Sequence, residues 1–445
     1  MKTRIFLRTL VLTVCYLVGP AKALANTAQL PLLFWDAEDI TNGFGKLEFG
    51  AEPLSPGGQA TGYPNMQYGC EVPRPDGRVW IYGWRLASGA IEIVRCATAD
   101  GLTFEDTATV FSYANPNWQG FANIVCRPSD GTLFLFTWSA GHLYVLRSNN
   151  GNTWNLLTSN AYVDHDAMCV MWHPPFNKFI NYQNTLQPWP KRYPDNIGSY
   201  RRVMSFRRSA DGVSWESFSP DFLMGAPLWT PDAADPVDLE FYRSVVFPHQ
   251  GRFAMILLDY IAPPPEANSR RATTKHGPRG RAEWAISRDG LNWKRPYRET
   301  DPIGDLCWLA LQGPLTRNGV LRFYLPGGTV ATMPDDRIFY VTCRGNGEFS
   351  TQLFTMPTNG LCLNADVRYL PCEGTTGRAY VMAELRGEDG QVIPGFERTK
   401  CILENVDGRT LALVWDGNYG RALAGRNVRI RFYLHEAKIY GAYKR

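Results

Sequence analysis

Acidic residues stand directly before three of the apolar stretches in this chain. They are Asp164 and Asp166 in one segment, Asp238 and Glu240 in the next, and Asp305 in a third. A carboxylic acid can donate a proton, and a carboxylate can accept one or attack as a nucleophile. Carboxyl groups that converge from separate segments can therefore supply acid–base or nucleophilic chemistry.

Other polar and aromatic residues near these segments are candidates for substrate binding. They are Asp164, His165, Arg243, Trp84, Trp118 and Trp189. His165 can orient a substrate hydroxyl or fill a polar seam. Arg243 can instead form an internal ion pair with Glu240, because the two stand at one strand entrance. Tryptophan rings can stack on sugars, although packing inside the protein is their more common role.

A strongly basic segment spans residues 262–281. It contains Arg270, Arg271, Lys275, Arg279 and Arg281 against the single acid Glu266. Lys191 and Arg192 add positive charge in another predicted loop. Clustered cations raise the local concentration of anionic ligands, so we expect an acidic substrate carrying uronate or sulfate groups; the alternative is a solvated insertion. The net charge of +4 is mild and gives no indication of nucleic-acid binding.

The N-terminus has the pattern of an export signal. Lys2, Arg4 and Arg8 precede an apolar stretch at residues 10–18, and Ala23 and Ala25 form a small-x-small cleavage motif. We predict cleavage after Ala25 and a secreted or periplasmic protein. No other apolar run is long enough to span a membrane.

The cysteines indicate neither a metal nor a cofactor. Ten are present, one of them inside the predicted leader, and none forms a Cys-x-x-Cys pair of the kind found at zinc sites. We therefore predict no metal and no cofactor.

Short repeated patterns show which elements position these residues. One seven-residue pattern occurs four times, at 98–104, 148–154, 209–215 and 287–293, and reads Ser/Thr-x-Asp/Asn-Gly-x-x-aromatic. A degenerate fifth copy stands at 342–349. An Asx-Gly pair favours a tight hairpin turn. A hairpin repeated at such intervals is typical of a propeller, so these marker hairpins predict an all-β, five-bladed β-propeller.

Apolar runs before each marker hairpin predict the other strands of each blade. The first strands are predicted at 66–72, 121–126, 167–172, 242–247 and 307–311, and blade five continues with 321–325 and 337–341. Long loops at 183–200 and 262–281 then share one face of the propeller, where function is expected. Beyond residue 360 the strands alternate as in a small β-sandwich. The predicted domains are a leader (1–25), a propeller (26–359) and a β-sandwich (360–445).

The tail carries a recognisable pattern. Arg386-Gly-Glu-Asp-Gly-Gln, Cys401, Val414-Trp415 and Val428-Arg-Ile-Arg-Phe432 resemble the tail of a group of secreted bacterial proteins. That group is similar to the invertase-like and arabinanase-like glycoside hydrolases of families 32 and 43, which have a five-bladed propeller and a trailing β-sandwich. The resemblance implies a glycoside hydrolase acting on a poly- or oligosaccharide.

In the hydrolases that this chain resembles, acids at the starts of the innermost strands converge on a central funnel. The resemblance implies the same arrangement in this chain, with Glu240 as the proton donor and Asp166 or Asp305 as the base or nucleophile. The family's Arg-Asp-Pro and Glu-Cys tripeptides are absent from blades two and three.

Two alternatives stay open. A sialidase-type hydrolase would use three carboxylate-binding arginines, for which Arg85, Arg95 and Arg243 are candidates. A carbohydrate-binding propeller without catalysis would also fit, because blade two opens without an acid.

Overall fold

The computed structural model describes residues 27–114, 118–193, 197–217, 228–261, 281–298, 300–303, 313–368 and 377–445. The predicted leader lies outside these ranges. The described part is almost entirely β-structure, with 3-10 turns at Ala37–Asp39, Pro174–Phe176, Pro326–Gly328, Arg398–Lys400 and Arg421–Leu423. In these ranges we find no helix with the length and apolar character needed to cross a membrane.

Four blades are four-stranded antiparallel sheets built from consecutive strands, as predicted. Three strands precede them, β1 (Leu32–Leu33), β2 (Ile40–Ala51) and β3 (Ser55–Gln59). Blade one consists of β4 (Gln67–Pro73), β5 (Val79–Ala87), β6 (Ala90–Thr98) and β7 (Glu105–Ala114). Blade two consists of β8 (Trp118–Cys126), β9 (Leu133–Ser139), β10 (His142–Ser148) and β11 (Asn155–Thr158).

The candidate acids precede or begin the first strands of the next blades. Blade three consists of β12 (Met168–His173), β13 (Lys178–Pro188), β14 (Tyr200–Ser209) and β15 (Glu216–Ser217), with β16 (Leu228–Trp229) also pairing with β14. Blade four consists of β17 (Leu239–His249), β18 (Arg252–Ile261), β19 (Arg281–Ser287) and β20 (Trp293–Lys294). The first strands of blades one to four line a central cavity of about 310 Å³, which makes them the innermost strands.

The fifth blade differs from the prediction. It is formed by β21 (Leu315–Arg317), β22 (Val320–Tyr324), β23 (Thr329–Pro334) and the early strand β3, which closes the ring. The predicted first strand at 307–311 lies outside the described residues. The predicted third strand at 337–341 is wrong, because these residues lead into a strand of another sheet. The closing strand β3 could not be recognised by an apolar pattern, since Ser55–Gln59 contains no large apolar residue.

The four intact marker sequences form the same hairpin. In each, the first Ser or Thr hydroxyl accepts the glycine N–H and the Asp or Asn accepts the next two N–H groups, at 2.7–2.9 Å. The glycine φ angles of 74–80° explain why no other residue fits easily. The degenerate fifth copy is not a hairpin turn of a blade, because it lies inside one long strand.

The second unit is a curled ten-stranded sheet. Its strands are β1, β2, β24 (Phe339–Thr351), β25 (Phe354–Thr355), β26 (Leu361–Asp366), β27 (Tyr380–Arg386), β28 (Ile402–Glu404), β29 (Asp407–Ala412), β30 (Asn427–His435) and β31 (Lys438–Lys444). Alternate residues of β30 are buried, as a half-buried strand requires. The sheet encloses its own apolar core, which includes Phe34, Phe349 and Phe432.

Candidate functional site

The candidate site lies where blades three and four meet at the funnel. Its members are Asp166, His165, Asn184, Lys191, Arg202, Glu240, Tyr242 and Tyr260, and we call this set the blade 3–4 cluster. The sheet topology brings them together because β12 and β17 begin at this end, β13 and β18 finish there, and β14 begins there. The blade-three loop is therefore shorter than predicted, since β13 continues to Pro188.

Asp166 is held at the entrance of the inner strand of blade three. Its side chain is 10% exposed, and its Oδ1 lies 2.9 Å from Nδ1 of His165. The same imidazole nitrogen lies 2.9 Å from Oδ1 of Asn184. Asp166 and His165, both predicted from the sequence, therefore form one polar unit with an asparagine that sequence reasoning missed.

Asn184 fixes the geometry of this unit. Its Oδ1 accepts the backbone N–H of Ala167 at 3.3 Å, and its Nδ2 donates to the carbonyl of Tyr242 at 3.0 Å. The amide therefore ties the inner strand of blade three to that of blade four. Asn184 is fully buried on β13, where its polarity interrupts the apolar pattern that would have identified a strand.

Glu240 is locked in a buried cluster of charges. Its Oε2 lies 2.7 Å from Arg202 Nη1 and accepts the backbone N–H of Arg202 at 3.0 Å. Its Oε1 contacts the ammonium of Lys191, and all three side chains are at most 1% exposed. Both carboxylate oxygens face cations and the side chain has no exposed surface, so this environment disfavours the predicted role of Glu240 as proton donor. Glu240 does form an internal ion pair, as considered for this strand entrance, but its partners are Arg202 and Lys191 and not Arg243.

A β-bulge directs the next residues of β17 toward the channel. The register with β18 shifts between Phe241 and Arg243, and bulges commonly re-aim side chains near functional sites. Burial raises the pKa of Tyr242 to about 12; the Asp166 carboxylate adds to the rise and Arg202 opposes it. The Tyr242 hydroxyl is therefore protonated at neutral pH and can act as a hydrogen-bond donor near Asp166.

Arg243 lines the central cavity below this cluster. Its guanidinium lies 5.4 Å from the ring centroid of Phe121, and burial lowers its pKa to about 10. It remains charged at neutral pH. Its position in the channel is compatible with the predicted contact to substrate.

Asp164 faces away from the blade 3–4 cluster into a separate buried network. Its Oδ1 accepts the backbone N–H of His165 at 2.9 Å, and its Oδ2 lies 3.4 Å from Arg207 Nη2. Burial raises the pKa of Asp164 to about 6, although Thr185 and Arg207 counteract the rise. The side chain has no exposed surface, so the structure does not support substrate binding by Asp164.

The predicted sugar-stacking tryptophans are not brought together. Trp84 is 1% exposed and packs in the apolar core between blades one and two, which excludes it from stacking on a substrate. Trp189 is half-buried, and the Arg201 guanidinium covers one face of its ring at 3.7 Å. The side chain of Trp118 and all of Asp305 lie outside the described residues.

The arginines proposed for a sialidase-type site do not converge. Arg85 pairs with Glu92 at 2.8 Å, Arg95 lies over the Trp80 ring at 4.1 Å, and Arg243 lines the central channel. Three separate environments cannot bind one carboxylate, so this set is wrong.

The basic residues expected to attract an anionic substrate are only partly described. Residues 262–280 lie outside the described ranges. Lys191 is buried against Glu240 and does not contribute to a positive surface, contrary to the sequence-based expectation.

Comparison with known proteins gives structural matches only. No family model and no curated protein matches this chain. A thermostable family-43 glycoside hydrolase has a TM-score of 0.40 at 11% identity, covering 65% of this chain and 96% of its own. An exo-β-1,3-galactanase from Phanerochaete chrysosporium has a TM-score of 0.38 at 9% identity, covering 90% of this chain and 99% of its own.

A third solved structure is an N-acetylgalactosamine deacetylase from F. plautii, with a TM-score of 0.39 at 12% identity, covering 87% of this chain and 95% of its own. The five-bladed fold is established by the sheet topology of this chain itself.

Proposed function

We propose that this protein is a glycoside hydrolase whose reaction centre is the funnel entrance of blades three and four. The observation that carries the proposal is the placement of Asp166, a slightly exposed carboxylate beside the His165 imidazole at the funnel. Cleavage of a glycosidic bond passes through a positively charged, oxocarbenium-like state. A carboxylate held at the funnel stabilises that charge, which is the role we assign to Asp166.

The remaining carboxyl groups receive different roles. We assign Glu240 to holding Arg202 and Lys191 in place, since it is fully buried between them. Asp305, which the sequence places before the inner strand of blade five, is our candidate for the acid that protonates the leaving oxygen.

Export and substrate charge belong to the same proposal. We propose a leader that is removed after Ala25. The predicted domain division at residue 360 is not kept, because β1, β2, β24 and β25 belong to the second sheet. We further propose an acidic glycan as substrate, supported by the cations of the 262–281 segment. Reversing Arg270, Arg271 and Lys275 to glutamate should then raise the Michaelis constant at low salt, and added salt should remove the difference. Equal Michaelis constants at low salt would contradict the acidic substrate.

The proposal is tested by a screen of neutral and acidic polysaccharides with analysis of both released sugar and released acetate. We expect the parent to release sugar and Asp166→Asn to lose roughly 10²–10³-fold in rate, the typical size of the loss of one electrostatically stabilising group. Asp164→Asn is the matched control, because it is the same change two residues away in a fully buried side chain, and the amide oxygen can still accept the His165 N–H.

Other outcomes separate the alternatives. Binding of a glycan without product would favour the carbohydrate-binding propeller. Release of acetate alone would show that the site activates water toward an acyl group rather than an anomeric carbon.

A further inference from the structure

We infer that His165 is a proton-transfer residue of this site and that it acts through Nε2. The inference rests on the proposed function for its substrate, but its geometric basis is independent of that substrate. It assigns to His165 a chemical role in place of the hydroxyl-orienting role expected from the sequence.

The hydrogen-bond network fixes the tautomer of the imidazole. Nδ1 of His165 lies 2.9 Å from two oxygens, Oδ1 of Asn184 and Oδ1 of Asp166. The Asn184 amide cannot be reversed, because its oxygen accepts the Ala167 N–H while its nitrogen donates to the Tyr242 carbonyl. Two acceptors at one nitrogen require that Nδ1 carries the hydrogen. In the neutral ring, Nε2 therefore holds the free lone pair.

The ring is held while Nε2 stays available. The backbone N–H of His165 donates to Asp164 and its carbonyl accepts from Gln183, which anchors the residue on both sides. Among the residues that the structure describes, Nε2 of His165 has no hydrogen-bond partner, and the side chain is 18% exposed. A base oriented through one nitrogen and accessible through the other is the arrangement that activates water or a hydroxyl group.

In the proposed step, Nε2 accepts a proton from a water molecule while the water oxygen forms a bond to the anomeric carbon. The bond between the anomeric carbon and the leaving oxygen breaks, and that oxygen receives a proton from the general acid of the site, which is later reprotonated from solvent. Asp166 stabilises the resulting imidazolium through its Oδ1, 2.9 Å from Nδ1, and the imidazolium later returns its proton to solvent.

The first test does not depend on activity. Protein labelled with ¹⁵N in its six histidines is examined by NMR at a pH where the rings are neutral, with His165→Asn used to assign the signals. We expect His165 to show a protonated Nδ1 and an unprotonated Nε2. The opposite tautomer would overturn the inference, whatever the protein hydrolyses.

The second test uses a substrate that the parent cleaves. His165→Asn keeps a donor near the Nδ1 position but has no base, so we expect the turnover number to fall by roughly 10²–10⁴-fold with little change in the Michaelis constant. Added imidazole should restore part of the activity of His165→Ala but none of that of Asp166→Asn. Near-parental turnover by His165→Asn, or its loss without imidazole rescue of folded His165→Ala, would reduce His165 to a positioning residue. A parent without glycosidase activity would refute the proposed function and leave the NMR result to decide the tautomer.

Discussion

Replacement of Glu240 by glutamine should destabilise the protein strongly. The carboxylate contacts Arg202 and Lys191, and all three groups are excluded from water. Glutamine removes the negative charge and leaves two cations facing each other in the interior. Loss of one partner of a buried ion pair costs about 3–5 kcal/mol. Because Glu240 neutralises two cations and also accepts the Arg202 N–H, we expect a cost at the upper end of that range.

The assay is the free energy of unfolding from chemical denaturation, with two matched variants. Glu348→Gln removes a carboxylate from a partly exposed pair with Arg431 and should cost about 1 kcal/mol or less. Lys191→Met combined with Glu240→Gln leaves one buried cation instead of two. The double variant should therefore be more stable than Glu240→Gln alone, and the pair should deviate from additivity by about 0.5–3 kcal/mol.

The unfolding free energy and the hydrolysis rate of Glu240→Gln distinguish a structural role of Glu240 from a role as proton donor. A Glu240→Gln variant whose unfolding free energy lies within about 1 kcal/mol of the parent, but whose hydrolysis is lost, would refute the structural role and restore Glu240 as proton donor.

Three further predictions concern other elements. Folding raises the pKa of Asp164 from 3.8 to about 6, so the stability that this group contributes is complete below pH 3.8 and is lost as the pH rises through 6. At about 1.4 kcal/mol per pKa unit, the unfolding free energy of Asp164→Asn relative to the parent should rise by about 3 kcal/mol between about pH 4 and pH 7.5. A difference that does not depend on pH would contradict this. Asp211→Ala should cost about 0.5–1.5 kcal/mol in unfolding free energy by removing the acceptor of two exposed turn N–H groups, whereas Asp211→Asn should be near parental because Asn150 serves the same turn of blade two. Arg288→Ala removes bonds of 2.6 and 3.0 Å to Asp36 and should accelerate proteolytic cleavage near residues 36–39; an unchanged cleavage rate would show that this contact does not hold the N-terminal segment.

Local turn chemistry made most of the propeller predictable. The marker hairpins depend on residues within seven positions, so their sequence identifies the turn directly. The strand Ser55–Gln59 could not be predicted in the same way. It contributes backbone hydrogen bonds to β23 rather than an apolar face, and its glycine at position 57 lies so close to Thr332 that an added Cβ would meet Cγ2 at 2.4 Å.

Site residues that stand next to an inner strand could be predicted from the sequence. Partners that come from other strands or another blade could not. Asp166 and His165 could be predicted as site residues because they stand directly before β12. Asn184 was assigned to a loop, because its polar neighbours on β13 break the apolar pattern. The contact of Glu240 with Lys191 joins residues of different blades, and no local sequence signal reports such a pair.

We propose that the Asp166 carboxylate stabilises the positive charge that develops during glycosidic cleavage. The most direct measurement is the ratio of kcat/KM for Asp166→Asn to that for Asp164→Asn, on a glycan that the parent cleaves and with both variants shown to be folded. We expect kcat/KM to fall by roughly 10²–10³-fold in Asp166→Asn and by less than about tenfold in Asp164→Asn. Equal losses in the two variants, or a larger loss in Asp164→Asn, would contradict the account.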